Sequence, residues 1–356
     1  MFNLNSLVRP HILTLKPYSS ARDEYKGTEG IFLDANENAF GTPGLPDDTT
    51  HFHRYPDPYQ TVVKQRLSEI KHLPAEQIFL GNGSDEIIDL MTKAFCQPQQ
   101  DNVVVLPPTF GMYEAAAAIN QVDLHTAALT PEYAIDRDAL DKAIDEHTKI
   151  IYFCSPNNPT GNLLDRETIL HYIQSFSGLV VVDEAYIDFA DQPSFSTLLC
   201  DHPNLVVLQT LSKAWGMAAL RLGMAFASAD IVSILNKVKT PYNVNTLTQQ
   251  KALEILQHED AHQTVVQQII QQRERLREQL ESLPVVERVH PSDANFFLIK
   301  VQDVEQVVPY LVEQKVIVRN RSNIRLCEGG LRITVGTPQE NEILVNVLRS
   351  YPLNHT

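Results

Sequence analysis

The sequence predicts an α/β protein: a large domain built on a mostly parallel sheet sandwiched by helices, with a smaller α+β domain beside it. Two observations carry that expectation. Short apolar runs at 78–80, 103–106, 150–153, 179–182, 205–208 and 224–227 alternate with longer amphipathic stretches, the pattern of strands buried on both faces and joined by helices. After Pro241 the texture changes to a long polar helical stretch over 248–283, ended by Pro284, and then to short strands at 296–299, 316–318 and 331–334.

In chain order, residues 1–50 hold turn formers, such as Gly41-Thr42-Pro43-Gly44, and little periodicity. They are expected to form an arm that also contributes to the smaller domain. Residues 51–245 are assigned to the large domain and 246–356 to the small C-terminal domain. The last helix opens with Thr337-Pro338-Gln339-Glu340, where the threonine caps, the proline sits at the first helical position and the glutamate closes a capping box.

A length of 356 residues is a little over two domains at roughly 150 residues each. With 43% hydrophobic and 21% charged residues there is enough apolar material for a sizeable core, which excludes disorder and a disulfide-stapled miniprotein. Against 44 acidic residues stand 29 basic ones, a net charge of −15, so the whole-molecule field repels nucleic acid and anionic membranes. Any anionic ligand needs a local cationic pocket. Cys96, Cys154, Cys200 and Cys327 show neither a disulfide framework nor zinc spacing. No leader pattern opens the chain and no run of about 18 apolar residues occurs, so a cytoplasmic protein is expected.

In open α/β sheets ligands bind beyond the carboxyl ends of strands. Three such ends carry chemistry: Ser155-Pro156-Asn157-Asn158-Pro159-Thr160-Gly161, Asp183-Glu184-Ala185-Tyr186, and Thr210-Leu211-Ser212-Lys213-Ala214-Trp215-Gly216. Each alone reads as a turn, a cap or a solvated charge. Delivered to one crevice, an amide, a carboxylate and an amine suit a pyridine aldehyde: the amine forms the Schiff base, the carboxylate keeps the ring nitrogen protonated and donors hold the phenolate oxygen. A dinucleotide loop at Gly81-Asn82-Gly83 is disfavoured because Glu86 stands where the third glycine belongs. His51 and His53 read as loop histidines, Cys154 as a packed thiol, and Arg273, Arg275 and Arg277 as a solvated helix face.

The segment from Thr210 to Ala219 resembles the pyridoxal-phosphate attachment signature of the class II aminotransferases, in the aspartate-aminotransferase superfamily of fold type I. Leu33-Asp34-Ala35-Asn36-Glu37-Asn38, Arg54-Tyr55-Pro56-Asp57-Pro58, Gly81-Asn82-Gly83-Ser84-Asp85-Glu86, Pro107-Pro108-Thr109-Phe110-Gly111-Met112-Tyr113 and Leu331-Arg332-Ile333-Thr334-Val335-Gly336-Thr337 extend the resemblance over nearly the whole chain. Their order is most similar to the branch that acts on histidinol phosphate. The resemblance implies pyridoxal 5'-phosphate as cofactor, Lys213 as the Schiff-base lysine, Asp183 on the ring nitrogen, Asn157 and Tyr186 on the phenolate oxygen, and Phe110 stacked on the ring.

It also implies a phosphate cradle of Gly83, Ser84 and Asp85 at a helix N-terminus, completed by Thr210, Ser212 and Arg221, with the Asp85 carboxylate aimed away. Tyr55 would reach the cofactor of a second subunit, which makes a homodimer with shared active sites. For the substrate the resemblance implies Arg332 and Arg319, with Arg321 as competitor to Arg319, together with Asn36 and the arm tyrosine Tyr18. The implied reaction is ping-pong amino transfer between L-histidinol phosphate and 2-oxoglutarate. An aromatic amino-acid aminotransferase and a threonine-phosphate decarboxylase of the same fold are the alternatives.

Overall fold

The computed structural model describes residues 2–18, 30–45 and 50–352. Seven strands form the larger sheet: β1 (Ile78–Asn82), β2 (Asn102–Val105), β3 (Asp123–Thr126), β4 (Thr148–Cys154), β5 (Leu179–Asp183), β6 (Leu205–Thr210) and β7 (Leu222–Ala227), in the order β1-β7-β6-β5-β4-β2-β3. All six apolar runs are strands. The seventh, β3, lies at the edge and shows no apolar run because its residues, Asp-Leu-His-Thr, are half-buried or exposed. Parallel strands need a crossover; the connection from β6 to β7 holds only a 3-10 turn, Ala218–Leu220, so β7 runs antiparallel to both neighbours. That short connection carries Lys213.

Alternation along the strands splits the core in two. Ile151, Phe153, Val180, Val182 and Val207 face one side with Val63 and Leu67. Ile150, Tyr152, Val181 and Val206 face the other with Ile87, Met91 and Phe95 of the helix Ser84–Phe95. Leu7, Val8 and Ile12 of the N-terminal segment pack into this second cluster.

A second sheet, wholly antiparallel, holds β8 (Val286–Val289), β9 (Phe296–Val301), β10 (Arg319–Asn320) and β11 (Gly330–Thr334) in the order β10-β11-β9-β8. The strand expected at 316–318 begins instead at Arg319. Val316 donates its amide to Leu311 O at 2.8 Å, closing the preceding helix Val304–Glu313, and Ile317 is exposed. The helical stretch over 248–283 is two helices, Thr246–Ile255 and Glu259–Glu281. Arg66 donates to Leu256 O from both Nε and Nη2, at 3.0 and 2.9 Å, and so occupies the carbonyl through which a continuous helix would propagate. Arg273 is not on a solvated face. It is buried and donates to Phe189 O at 3.2 Å and Ala294 O at 3.1 Å, tying its helix to the loops after β5 and before β9. The capping box at Thr337 and Glu340 is present.

Candidate active site

Strands β1, β5 and β6 end beside one another, and each hands a short loop to a cavity of about 410 Å³. At the end of β1, Gly83 (φ 78°) turns the chain into the helix Ser84–Phe95, whose N-terminus has no side-chain cap. The free N–H groups and the positive helix end favour an anion there. Two glycines are required here for different reasons: Gly83 has a positive φ and lies against the Arg221 side chain, which a Cβ would approach to 2.7 Å from Nη2, whereas a Cβ at Gly223 would lie 2.3 Å from Ser84 backbone N. Arg221, itself left-handed (φ 54°), donates to Asp85 Oδ2 at 3.2 Å. That pair draws the Asp85 carboxylate to the arginine. Thr210, at the end of β6, accepts from Ser212 N at 3.1 Å, and both residues line the cavity.

At the end of β5, Asp183 is buried, accepts from Tyr113 Oη at 2.7 Å and from Ala185 N at 3.1 Å, and lines the cavity. Burial pushes its carboxyl above the usual range, against the pull of Tyr113, Ala185 and Lys213. A cation brought against it would restore the ionised form. Lys213 shows the opposite displacement: burial first, then Arg332 and Arg221, hold its amine below the ordinary value, opposed by Asp183 and Asp85. Its Nζ lies 5.4 Å from the Tyr186 ring centroid. Phe110 lines the same space and meets Tyr113 edge-on at 5.6 Å.

The other wall comes from the smaller sheet. Arg319 and Arg332 are register partners on β10 and β11, and with Arg321 they place three guanidiniums on one side of the cavity. Arg332 donates to Asn158 Oδ1 at 2.5 Å, its guanidinium 5.5 Å from the Phe296 ring centroid. Arg321 Nε is buried without a hydrogen-bond partner. Burial and the neighbouring arginines push both Arg321 and Arg332 below the ordinary value. Such a cluster calls for an anion of more than one charge.

Of the residues implied by the resemblance, the cavity gathers Gly83, Ser84, Asp85, Phe110, Asp183, Tyr186, Thr210, Ser212, Lys213, Arg221, Arg319 and Arg332. Asn157 lies outside the cavity lining. Its amide donates to Pro108 O at 2.8 Å and Thr160 Oγ1 at 2.7 Å and its Oδ1 accepts from Thr109, so it knits the loop while Asn158 faces the cavity. Tyr55 and Asn36 lie outside, in a second hollow with Arg54 and Leu247, where Tyr55 stacks on Tyr242 at 4.6 Å. Tyr18 is exposed. Sequence reading missed Asn158 and Tyr113. The repeated asparagine signalled the first without ranking it, and nothing local signals that Tyr113 meets Asp183, 70 residues away.

An uncapped helix N-terminus, a buried carboxylate short of a cation, an amine with a depressed pKa and an aromatic face fit an aldehyde that carries both a phosphate and a ring nitrogen, as pyridoxal phosphate does. Fold and site together define an enzyme of cofactor-assisted amine chemistry. The chain belongs to the class I and II aminotransferases, whose family model matches residues 29–348. It is 57% identical over 350 residues to a histidinol-phosphate aminotransferase of Cytophaga hutchinsonii, covering 98% of this chain and 99% of that one. A Parabacteroides distasonis protein of the same name is 50% identical over 353 residues, covering 99% and 100%. Among solved structures, the histidinol-phosphate aminotransferase from Clostridium acetobutylicum superposes with a TM-score of 0.77 at 23% identity, covering 83% of this chain and 90% of that one, a likeness of fold. Among the described residues no helix is long and apolar enough to cross a membrane.

Proposed function

We propose that this aminotransferase moves an amino group between L-histidinol phosphate and 2-oxoglutarate, giving imidazole-acetol phosphate and L-glutamate in histidine biosynthesis, in the cytoplasm, with pyridoxal 5'-phosphate as cofactor. One observation carries the substrate: the three guanidiniums of Arg319, Arg321 and Arg332, brought by the smaller sheet and the loop after β10, line the same cavity as the helix end that begins at Ser84, a second site for a polyanion. The names of relatives 46–57% identical support it.

When bound, the cofactor supplies an aldehyde carbon and an electron-accepting ring. Backbone N–H groups of Ser84 and Asp85, with Gly83 leaving room beside them and Thr210, Ser212 and Arg221 around them, would hold its phosphate. Asp183, oriented by Tyr113 and the Ala185 amide, would keep the ring nitrogen protonated. Phe110 would cover the ring face, and Asn158 and Tyr186 would hold the ring oxygen. Lys213 has two tasks. Its amine, held below its ordinary value, would bind the cofactor's aldehyde carbon, and its Nζ would take the proton from the carbon bearing the substrate amine. Arg332, fixed by Asn158, grips the anionic end of the substrate with Arg319 and Arg321, and Tyr18 of the arm closes over it.

Ile31, Leu33 and Phe40 are 82–101% exposed, an apolar surface that a second copy of the chain covers in the proposed homodimer. Tyr55, with Asn36 beside it, then reaches the partner's cofactor phosphate. The large cofactor domain spans 51–245 and the small domain 246–356, with an arm over 1–50.

The test is turnover of three amino donors by the purified, cofactor-loaded protein. L-histidinol phosphate with 2-oxoglutarate should yield L-glutamate at the highest kcat/KM. Preference for L-phenylalanine, or release of carbon dioxide from O-phospho-L-threonine, overturns the substrate assignment.

A further inference from the structure

Far from Lys213, a second lysine combines burial with an unengaged amine. Lys64, on the helix Thr61–Lys71, is 7% exposed and lines a cavity of about 450 Å³ with Pro17, Tyr59, Glu76, Ser233 and Asn236. Its Nζ donates to no acceptor and pairs with no carboxylate among the described residues, whereas its two lysine neighbours are fully engaged. Lys239 Nζ donates to Pro58 O at 2.8 Å, Thr240 O at 3.2 Å and Pro241 O at 2.7 Å. Lys237 Nζ donates to Ile12 O and Leu13 O, both at 2.9 Å. Those carbonyls fix both neighbours as ammonium ions. An ammonium at the end of a mostly buried side chain with no protein acceptor is costly, and a second one beside Lys239 is costlier. Burial and Lys239 accordingly bring Lys64 down to about 8, with Asp57 pulling the other way. Asn236 Oδ1, in the wall of the same cavity, is buried with no partner.

We propose that Lys64 is a carbamylation site that takes up carbon dioxide. The Nζ lone pair bonds the carbon of CO2, one C=O pair moves onto oxygen, and a proton leaves Nζ for water. No oxidant or reductant is needed. The product is an anion where a repelled cation stood, so the unfavourable pair with Lys239 becomes an attractive one. Lys237 and Glu76 line the cavity or its rim, the first favouring the anion and the second opposing it, while Tyr59 adds a neutral wall. Lys239 and Lys237, held by carbonyls, stay unmodified.

The test equilibrates the intact, cofactor-loaded protein with 13C-bicarbonate above pH 8, records the carbamate resonance, traps it by O-alkylation and maps the labelled peptides. At pH 8 Lys64 carries roughly a hundredfold more neutral amine than a lysine at its ordinary value, so label should concentrate on the peptide holding Lys64 and fade as the pH is lowered. Lys64→Arg, which keeps length and charge, and Lys64→Met should both lose the resonance, and peptide mapping of the unaltered protein decides the matter even if neither folds. Absence of label at Lys64, label spread evenly over the lysines, or an unchanged resonance in Lys64→Arg overturns the proposal.

Discussion

The two walls of the active-site cavity are built on different principles. On the wall from the seven-stranded sheet the charged and hydroxyl side chains are mostly held by protein partners: Asp183 has Tyr113 and Ala185, Arg221 has Asp85, Ser212 has Thr210. On the wall from the four-stranded sheet three guanidiniums crowd together, with Asn158 holding Arg332 and Arg321 Nε left unpaired. The first wall is preorganised for a resident group and the second is cationic in waiting. An anion arriving there gains the interactions that the protein withholds, so recognition and discrimination belong to that wall.

Substitutions on the first wall should cost turnover, those on the second affinity. Lys213→Ala is the largest expected effect: losing nucleophile and base together should lower kcat by about 10⁴-fold or more, read as single-turnover product formation. A variant still turning over at the unaltered rate would sink the assignment. Asp183→Asn keeps the shape and the Tyr113 contact but removes the charge, and should lower kcat roughly 10²-fold. The adjacent carboxylate sharpens this. Glu184, also buried, is saturated by Ser194, Phe195 N and Gln209, so Glu184→Gln should leave turnover within a few-fold while destabilising the fold by about 1–3 kcal/mol in denaturant titration.

On the second wall, Arg321→Met should raise KM for L-histidinol phosphate about tenfold or more with a much smaller change in kcat, as expected when one charge-assisted contact is lost. Equal losses in kcat would erase the distinction between the walls. The smallest effect lies outside both. His290, buried against Tyr133 with ring centroids 5.0 Å apart, is pushed down to about 4 by burial and by Arg288. The folded protein keeps it neutral while the unfolded chain protonates near 6.5, so its contribution to stability is present above about pH 6.5 and is lost as the pH falls toward 4. Thermal unfolding of His290→Gln should flatten that part of the pH profile.

Asp183 and Lys213 were legible because each lies just beyond an apolar run that reads as a buried strand, and the end of such a strand is a fixed place in space; Gly83 and Arg221, the latter just before β7, were implied only by the resemblance. The helix break at 256–258 was not legible, because it depends on Arg66 reaching Leu256 O across 190 residues. Arg273 read as solvated for the same reason: its acceptors, Phe189 O and Ala294 O, belong to distant loops.

What the sequence determined by itself were the periodic features and the short-range ones: the strands, the capping box at Thr337, the turn at Gly83 and the loop that presents Lys213. Tertiary structure alone decided which of two consecutive asparagines faces the cavity, which tyrosine orients Asp183, and that three arginines from β10, β11 and the loop between them meet Lys213. Period and propensity act over a few residues, whereas an unpaired carboxylate or guanidinium acquires its chemistry from whatever the folded chain brings within a few ångströms of it.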